Sequence, residues 1–172
     1  MQTIYRTRAN RCVRALDTEK SRQEMNEEEL NVFVDTVLHY FDQVTDTPAI
    51  VQTPYLKENK DTLAYEFTGI IGISGERKGC VYFTTTSLLL NQILIGMRED
   101  DLSKENQADL IGELANTIAG NARKHFGIEF MISVPIVIEG KPENLKLPKT
   151  ARSFVIPVSW RHHESALVVC LD

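Results

Sequence analysis

Residues 103–127 read S-K-E-N-Q-A-D-L-I-G-E-L-A-N-T-I-A-G-N-A-R-K-H-F-G, a pattern that predicts one long helix. Ser103 is a favourable N-cap because its hydroxyl can accept a hydrogen bond from a free backbone N–H. Gly127 stands where a left-handed residue commonly ends a helix. At about 100° per residue, one side of the helix is apolar. It comprises Leu110, Ile111, Leu114, Ala115, Ile118 and Ala122. We therefore expect Ser103–Phe126 to be helical and this side to face the core.

The opposite side of the predicted helix carries Asp109, Glu113, Asn116 and Gly120. Three features are unusual for a helix that only packs. Gly112 and Gly120 each cost roughly 1 kcal/mol relative to alanine in a helix interior, and the amide of Asn116 competes for backbone hydrogen bonds. A carboxylate and an amide one turn apart, beside glycines that allow another backbone to approach, indicate a docking edge. The alternative is a solvated face with tolerated glycines.

Composition limits the classes of function. The 172 residues suffice for one ordinary domain, and 42% hydrophobic with 25% charged residues is a globular composition. The net charge of −5 argues against nucleic acid as the main partner. No apolar run approaches the ~20 residues of a membrane span. Cys12, Cys80 and Cys170 give neither a disulfide framework nor a zinc pattern, so we expect a reducing, cytoplasmic location and no metal site.

Residues 1–24 differ from the rest of the chain. Four arginines, at positions 6, 8, 11 and 14, precede the first acidic residue, Asp17, and apolar periodicity is weak. Such a segment can be a transit-like leader, a disordered extension or an additional terminal helix. We treat residues 1–24 as an extension that folding and activity do not need, and residues 25–172 as the domain.

The remaining pattern predicts an α/β fold of the α+β type: one domain with an antiparallel sheet packed on one side against long helices. Predicted helices cover 26–44 and 87–97, the second buried on most sides. Predicted strands cover 50–55, 62–74, 79–85, 128–138, 154–160 and 166–171, with a polar loop at 140–151. Glycines at 69, 72, 75 and 79 indicate close backbone approach rather than a phosphate loop, and Pro135 indicates a sheet edge or bulge. No self-contained nucleophile is evident, and the adjacent His162 and His163 do not suggest a metal site.

Two stretches together resemble a known family. T-G-I-I-G-I-S-G-E-R-K-G at 68–79, followed by G-E-L-A-N-T-I-A-G-N-A at 112–122, is similar to the CheX branch of the CheC/CheX/FliY phosphatases. The resemblance covers about residues 26–172. Glu28 and Asn31 repeat the Glu-x-x-Asn spacing at a helix start, which we interpret as coincidence, so one copy of the motif remains, as in CheX. Pro135 comes sooner after Asn116, and Pro142 later, than the proline of the wider family pattern. A shortened connection at Gly127 would account for this departure.

The resemblance implies an activity and roles for residues. The family dephosphorylates the aspartyl phosphate of CheY-like response regulators. Asn116 would hold the attacking water, Glu113 would pair with the regulator's lysine, and Asp109 would contact the regulator beside Gly112 and Gly120. No cofactor of its own is implied, because the regulator supplies the Mg²⁺ ion. CheX-like proteins pair through their sheets, which implies a homodimer.

Two other classes of function stay open. The chain could be a non-catalytic adaptor of the same fold that docks a signalling or flagellar-switch partner, with Glu113 and Asn116 acting only as contacts. It could also be a structural homo-oligomer. The decay of a phosphorylated regulator separates the first class from the others, and a pull-down against response regulators separates the adaptor from the homo-oligomer.

Overall fold

The computed structural model describes residues 25–59, 61–141, 147 and 152–172. The extension at 1–24 and most of the predicted loop at 140–151 lie outside these residues. Within them, the helices are α1 (Glu27–Val44), α2 (Ser87–Gly96) and α3 (Lys104–Phe126). The strands are β1 (Ile50–Val51), β2 (Tyr55–Glu58), β3 (Phe67–Gly75), β4 (Gly79–Thr85), β5 (Phe130–Ile132), β6 (Ile136–Glu139), β7 (Arg152–Trp160) and β8 (His163–Leu171).

The described strands form one antiparallel sheet, which confirms the predicted fold class. The order of its strands is β1-β7-β8-β4-β3-β5. In addition, β2 pairs with β7, and β6 pairs with β3. The short strands β1 and β2 therefore form one edge, and β5 and β6 form the other. The β3–β4 glycine hairpin and the β7–β8 hairpin are both present, as predicted.

The helices pack on one face of the sheet, where most of the core lies. Alternate residues of the central strands, such as Ile71, Phe83 and Leu167, point to this face and are fully buried. A smaller apolar cluster that includes Tyr82 and Val168 lies on the opposite face. Because side chains alternate along each strand, both faces of the sheet carry apolar residues. The larger apolar cluster lies on the face that packs against the helices.

Two predicted strands are each interrupted by a proline. The segment 50–55 is split into β1 and β2 because Pro54 has no N–H to donate to the β7 ladder. The segment 128–138 is split into β5 and β6 around Pro135, and both pieces pair with β3. At the break, the N–H of Gly72 donates to the Ser133 hydroxyl at 2.9 Å. Pro135 therefore lies at a sheet edge, as its position in the sequence predicted.

Two further expectations are wrong in detail. The strand predicted at 62–74 begins only at Phe67, since the preceding residues bond to side chains instead of the ladder; the N–H of Tyr65 donates to the Thr84 hydroxyl at 2.7 Å. Helix α2 is not buried on most sides. Leu88 and Ile95 are 64% and 52% exposed because only one face of α2 packs against the domain.

Candidate functional site

Helix α3 has the ends and the orientation that its sequence predicts. The Ser103 hydroxyl accepts a hydrogen bond from the N–H of Asn106 at 3.2 Å, and Gly127 follows the last turn with φ 92°. The whole predicted apolar side is buried: Leu110, Ile111, Leu114, Ala115, Ile118 and Ala122. Because these residues fix the rotation of the helix, Glu113 and Asn116 are exposed.

A close backbone contact seats α3 on the sheet. A Cβ added to Gly69 of β3 would lie 2.5 Å from the carbonyl oxygen of Ile111 and 3.0 Å from the Cβ of Ala115. Glycine at residue 69 therefore lets α3 lie directly against β3. The predicted close approach at the glycine strand is confirmed, and the neighbour is this helix.

Beside α3 lies an open groove of about 380 Å³. Helix α3 contributes one wall, and β6 with the turn before it contributes the other. The residues lining it are Ala108, Asp109, Gly112, Glu113, Asn116, Pro135 and Val137. The structure thus brings Asp109, Glu113 and Asn116 together at one groove on the protein surface.

The two glycines of the predicted docking edge differ in surroundings. Gly112 is buried, and a Cβ there would lie 3.2 Å from Cγ2 of Val137 and 3.8 Å from Pro135. The space beside Gly112 is filled by the chain's own β6 wall and is not left for a partner. Gly120 is partly exposed, and a Cβ there would meet no atom of the other described residues within 4 Å. Of the two, Gly120 therefore offers the open approach.

The polar groups of the groove are available to a partner. Within the described part of the chain, the side chains of Asp109, Glu113 and Asn116 make no hydrogen bond or ion pair. Burial, together with the Glu113 carboxylate, raises the pKa of the Tyr40 hydroxyl on α1 above its ordinary value. Tyr40 therefore stays neutral near neutral pH. The carboxylate of Glu113 has no ion-pair partner among the described residues.

The chemistry of the groove excludes some mechanisms and permits another. Its described lining contains no serine, threonine, cysteine or histidine, so it offers no hydroxyl, thiol or imidazole nucleophile. Its carboxylates, Asp109 and Glu113, carry negative charge that a phosphoryl group repels. The Asn116 amide can donate and accept hydrogen bonds without adding charge, and the Glu113 carboxylate can pair with a cation. Such a pair can orient a water molecule and a cationic group on a docked partner.

Sequence reasoning missed part of the groove. Ala108 lies one turn before Gly112, and helical spacing would have found it. Val137 reaches the groove because β6 pairs with β3, the strand against which α3 packs. No local sequence pattern predicts that pairing. Pro135 was noted for its spacing from Asn116, and the structure brings it into the same groove.

Other candidate sites are weaker. A separate depression of about 270 Å³ between α1 and α3 is lined by Val32, Asp35, Thr36, His39, Asn121 and His125. The described residues contain no group of three or more His, Cys, Asp or Glu side chains arranged to hold a metal ion. None of the helices they form is long and apolar enough to cross a membrane.

Comparisons with known proteins agree with the fold. The family model of the chemotaxis phosphatase CheX matches residues 67–159, just over half of the chain. This range includes the glycine hairpin, α3 and both walls of the groove. No curated protein matches the chain significantly.

Solved structures with the same fold come from several bacteria. A CheC-like superfamily protein from Shewanella sp. PV-4 is 25% identical, with a TM-score of 0.73 over 86% of this chain and 99% of that one. The chemotaxis protein CheX from Desulfovibrio desulfuricans is 24% identical, with a TM-score of 0.71 over 84% and 99%. The CheX–CheY–BeF3–Mg²⁺ complex from Borrelia burgdorferi gives 18% identity and a TM-score of 0.68 over 83% and 97%.

Proposed function

The chain belongs to the CheX chemotaxis phosphatase family, and from this premise we propose that it hydrolyses the aspartyl phosphate of a CheY-like response regulator. The observation that carries the proposal is the exposure of Glu113 and Asn116, one turn apart, in a groove whose described lining contains no hydroxyl, thiol or imidazole nucleophile. A protein that attacked the phosphoryl group itself would need a nucleophile. One that only positions water does not.

The proposed reaction uses groups from both proteins. Asn116 orients a water molecule in line with the bond between phosphorus and the regulator's aspartate oxygen. The water oxygen attacks phosphorus, and the bond between phosphorus and the aspartate oxygen breaks. Both protons of the water leave with inorganic phosphate, and the aspartate carboxylate is restored. Phosphoryl transfer depends mainly on positioning and on charge stabilisation, so one well-placed amide can have a large effect.

Glu113 is proposed to contact the regulator's lysine. A carboxylate beside a phosphoryl group would repel it, so Glu113 favours the complex only if a cation lies between the two. Glu113 has no ion-pair partner among the described residues, which leaves it free for this contact. Asp109, one turn earlier on the same wall of the groove, extends the acidic contact.

No cofactor of the chain's own enters the proposal. Mg²⁺ belongs to the regulator, where carboxylates and phosphate oxygens hold it. In the Borrelia burgdorferi complex, a CheX protein is bound to CheY together with BeF3 and Mg²⁺. Beryllofluoride imitates an aspartyl phosphate, so an analogous complex is the species that we propose for this chain.

The decay of phosphorylated CheY-like regulators, with and without the protein, tests the proposal. We expect at least one regulator to lose its phosphate faster, with a rate that saturates as the protein concentration rises. Binding without faster decay would instead support the adaptor function. The absence of both binding and faster decay across the regulators of the source organism would contradict both functions.

A further inference from the structure

The outward face of α3 has charges of opposite sign at its two ends. Glu105, Asp109 and Glu113 lie in its first half, and Arg123 and Lys124 lie in its last turn. All five are exposed. At 100° per residue they fall within a sector of about 100°, which also holds Asn116 and Gly120. The charged halves are thus separated by the neutral pair on one continuous surface.

The helix dipole explains only part of this pattern. Acidic residues in the first turn and basic residues in the last turn stabilise a helix, but the effect falls off within that turn. Asp109 and Glu113 lie in the second and third turns, so the dipole does not account for them. Their charge, together with that of the basic end, makes the face dipolar over its whole length.

The basic end is available for a partner. Arg123 has no ion-pair partner among the described residues. The ammonium group of Lys124 donates to the Asn121 side chain at 2.9 Å, in an exposed contact that water can replace. Neither charge is neutralised by a carboxylate in the described part of the chain.

We propose that Arg123 and Lys124 form a second docking contact, which binds an acidic surface of the phosphorylated response regulator; this inference rests on the proposed function. Arg123 lies seven residues beyond Asn116, and seven residues of helix span about 10.5 Å. The acidic surface that it meets therefore lies about 10 Å from the phosphoryl group. Two exposed cations at this distance complement negative charge on the docked regulator.

The arrangement fixes the direction in which the regulator lies on the helix. With the regulator's lysine at Glu113, its acidic surface meets Arg123 and Lys124. In the reversed orientation, the lysine would face these cations and be repelled. The open space at Gly120 lets the regulator's surface pass close to the helix between the two contacts.

Charge reversal with a matched control tests the inference. Arg123→Glu changes the net charge from −5 to −7, and so does Lys104→Glu. Lys104 is exposed on the same helix, but it lies about 180° from Glu113. Both variants are titrated with a CheY-like regulator loaded with beryllofluoride and Mg²⁺, at low and high salt. Arg123→Gln, which removes the charge without reversing it, serves as the milder variant.

We expect Arg123→Glu to raise Kd about three- to tenfold at low salt, with a smaller increase at high salt and an unchanged rate at saturation. Arg123→Gln should cause a smaller increase in Kd, and Lys104→Glu should leave Kd unchanged. Equal effects of Arg123→Glu and Lys104→Glu would overturn the second contact, because net charge alone would then explain them.

The same titration separates this inference from the proposed function. If Arg123→Glu weakens binding of a regulator that the wild-type chain does not dephosphorylate, the second contact stands and the phosphatase function fails. If the chain is an active phosphatase whose Kd is insensitive to Arg123→Glu, the function stands and the second contact is wrong. If the wild-type chain binds no regulator, both are overturned.

Discussion

Gly69 on β3 lies against the carbonyl oxygen of Ile111 on α3, so closely that a Cβ at residue 69 would be only 2.5 Å from that oxygen. The contact sets the distance between the sheet and α3. Since Glu113 and Asn116 follow Ile111 on the same rigid helix, it also helps to set where their side chains stand. A glycine inside the sheet thus supports the position of a surface site.

We predict that Gly69→Ala lowers both stability and activity. The added methyl group must displace helix backbone, and overpacking of this kind typically costs about 1–3 kcal/mol. A shift of α3 by about 1 Å would also misplace Asn116, which can lower a rate by about 10²-fold. Urea unfolding gives the free energy of unfolding, and single-turnover dephosphorylation gives the rate.

Gly120→Ala is the control for that change. It adds the same methyl group to α3 at a position where the added carbon would meet no other described part of the chain within 4 Å. The free energy of unfolding should rise by about 0.5–1 kcal/mol, because alanine is favoured over glycine inside a helix. If both substitutions stabilised the protein equally, the proposed role of the Gly69–Ile111 contact would be wrong.

The orientation of α3 was predictable because the residues that determine it lie within the helix and at its two ends. Ser103, Gly127 and a periodic apolar side determine the two ends of the helix and its rotation about its axis. The exposure of Glu113 and Asn116 follows from that rotation. The antiparallel sheet was predictable for the same reason, because its two hairpins join strands that are neighbours in the sequence.

The second wall of the groove was not predictable, because it depends on pairing between distant segments. Val137 reaches the groove only because β6 pairs with β3, far from it in sequence. The strand breaks at Pro54 and Pro135 show a second limit. Residues that favour strands stand on both sides of each proline. Only the missing N–H indicates that the ladder is interrupted.

We predict that the chain forms a homodimer through the β5–β6 edge. Among the described strands, this edge pairs with β3 alone, and strand edges without a partner favour pairing with another chain. Four apolar side chains near it are exposed: Ile128, Met131, Val134 and Ile136. Sedimentation at micromolar concentration should show a dimer.

Charged substitutions at the two sheet edges identify the interface. Met131→Lys places a charge on β5 and should produce a monomer. Leu56→Lys places the same charge on β2, at the opposite edge, and should leave the dimer intact. A wild-type chain that sediments only as a monomer would refute the dimer, and dissociation by Leu56→Lys alone would assign it to the other edge.

We predict that residues 1–24 are dispensable for folding and for phosphatase activity. The N-terminus of α1 is capped by residues of the domain itself. The Asn26 side chain accepts the N–H of Glu29 at 2.8 Å, and the Glu29 carboxylate accepts the N–H of Asn26 at 3.0 Å. A truncated chain that begins at Met25 should keep its melting temperature and its activity. Loss of several kcal/mol of stability would show that the extension is integral to the fold.

We predict that Glu113→Gln weakens regulator binding in a salt-dependent manner. An exposed ion pair contributes about 0–1 kcal/mol, which corresponds to a rise in KM of up to about fivefold. The rise should shrink as salt screens the pair. A larger rise would mean that the pair loses its water at the interface. Glu164→Gln, an exposed carboxylate on β8, makes the same change in charge away from α3 and should leave KM unchanged.

The catalytic role of Asn116 is tested most directly by the dephosphorylation rate of the saturated complex in Asn116→Ala. Loss of the water-orienting amide should lower this rate by about 10²-fold, while Kd for the beryllofluoride-loaded regulator stays within about twofold. The melting temperature should not fall, because the side chain is exposed and alanine favours a helix. Asn121→Ala, on the same helix but facing α1, should keep the wild-type rate. Full activity in Asn116→Ala would contradict the phosphatase mechanism.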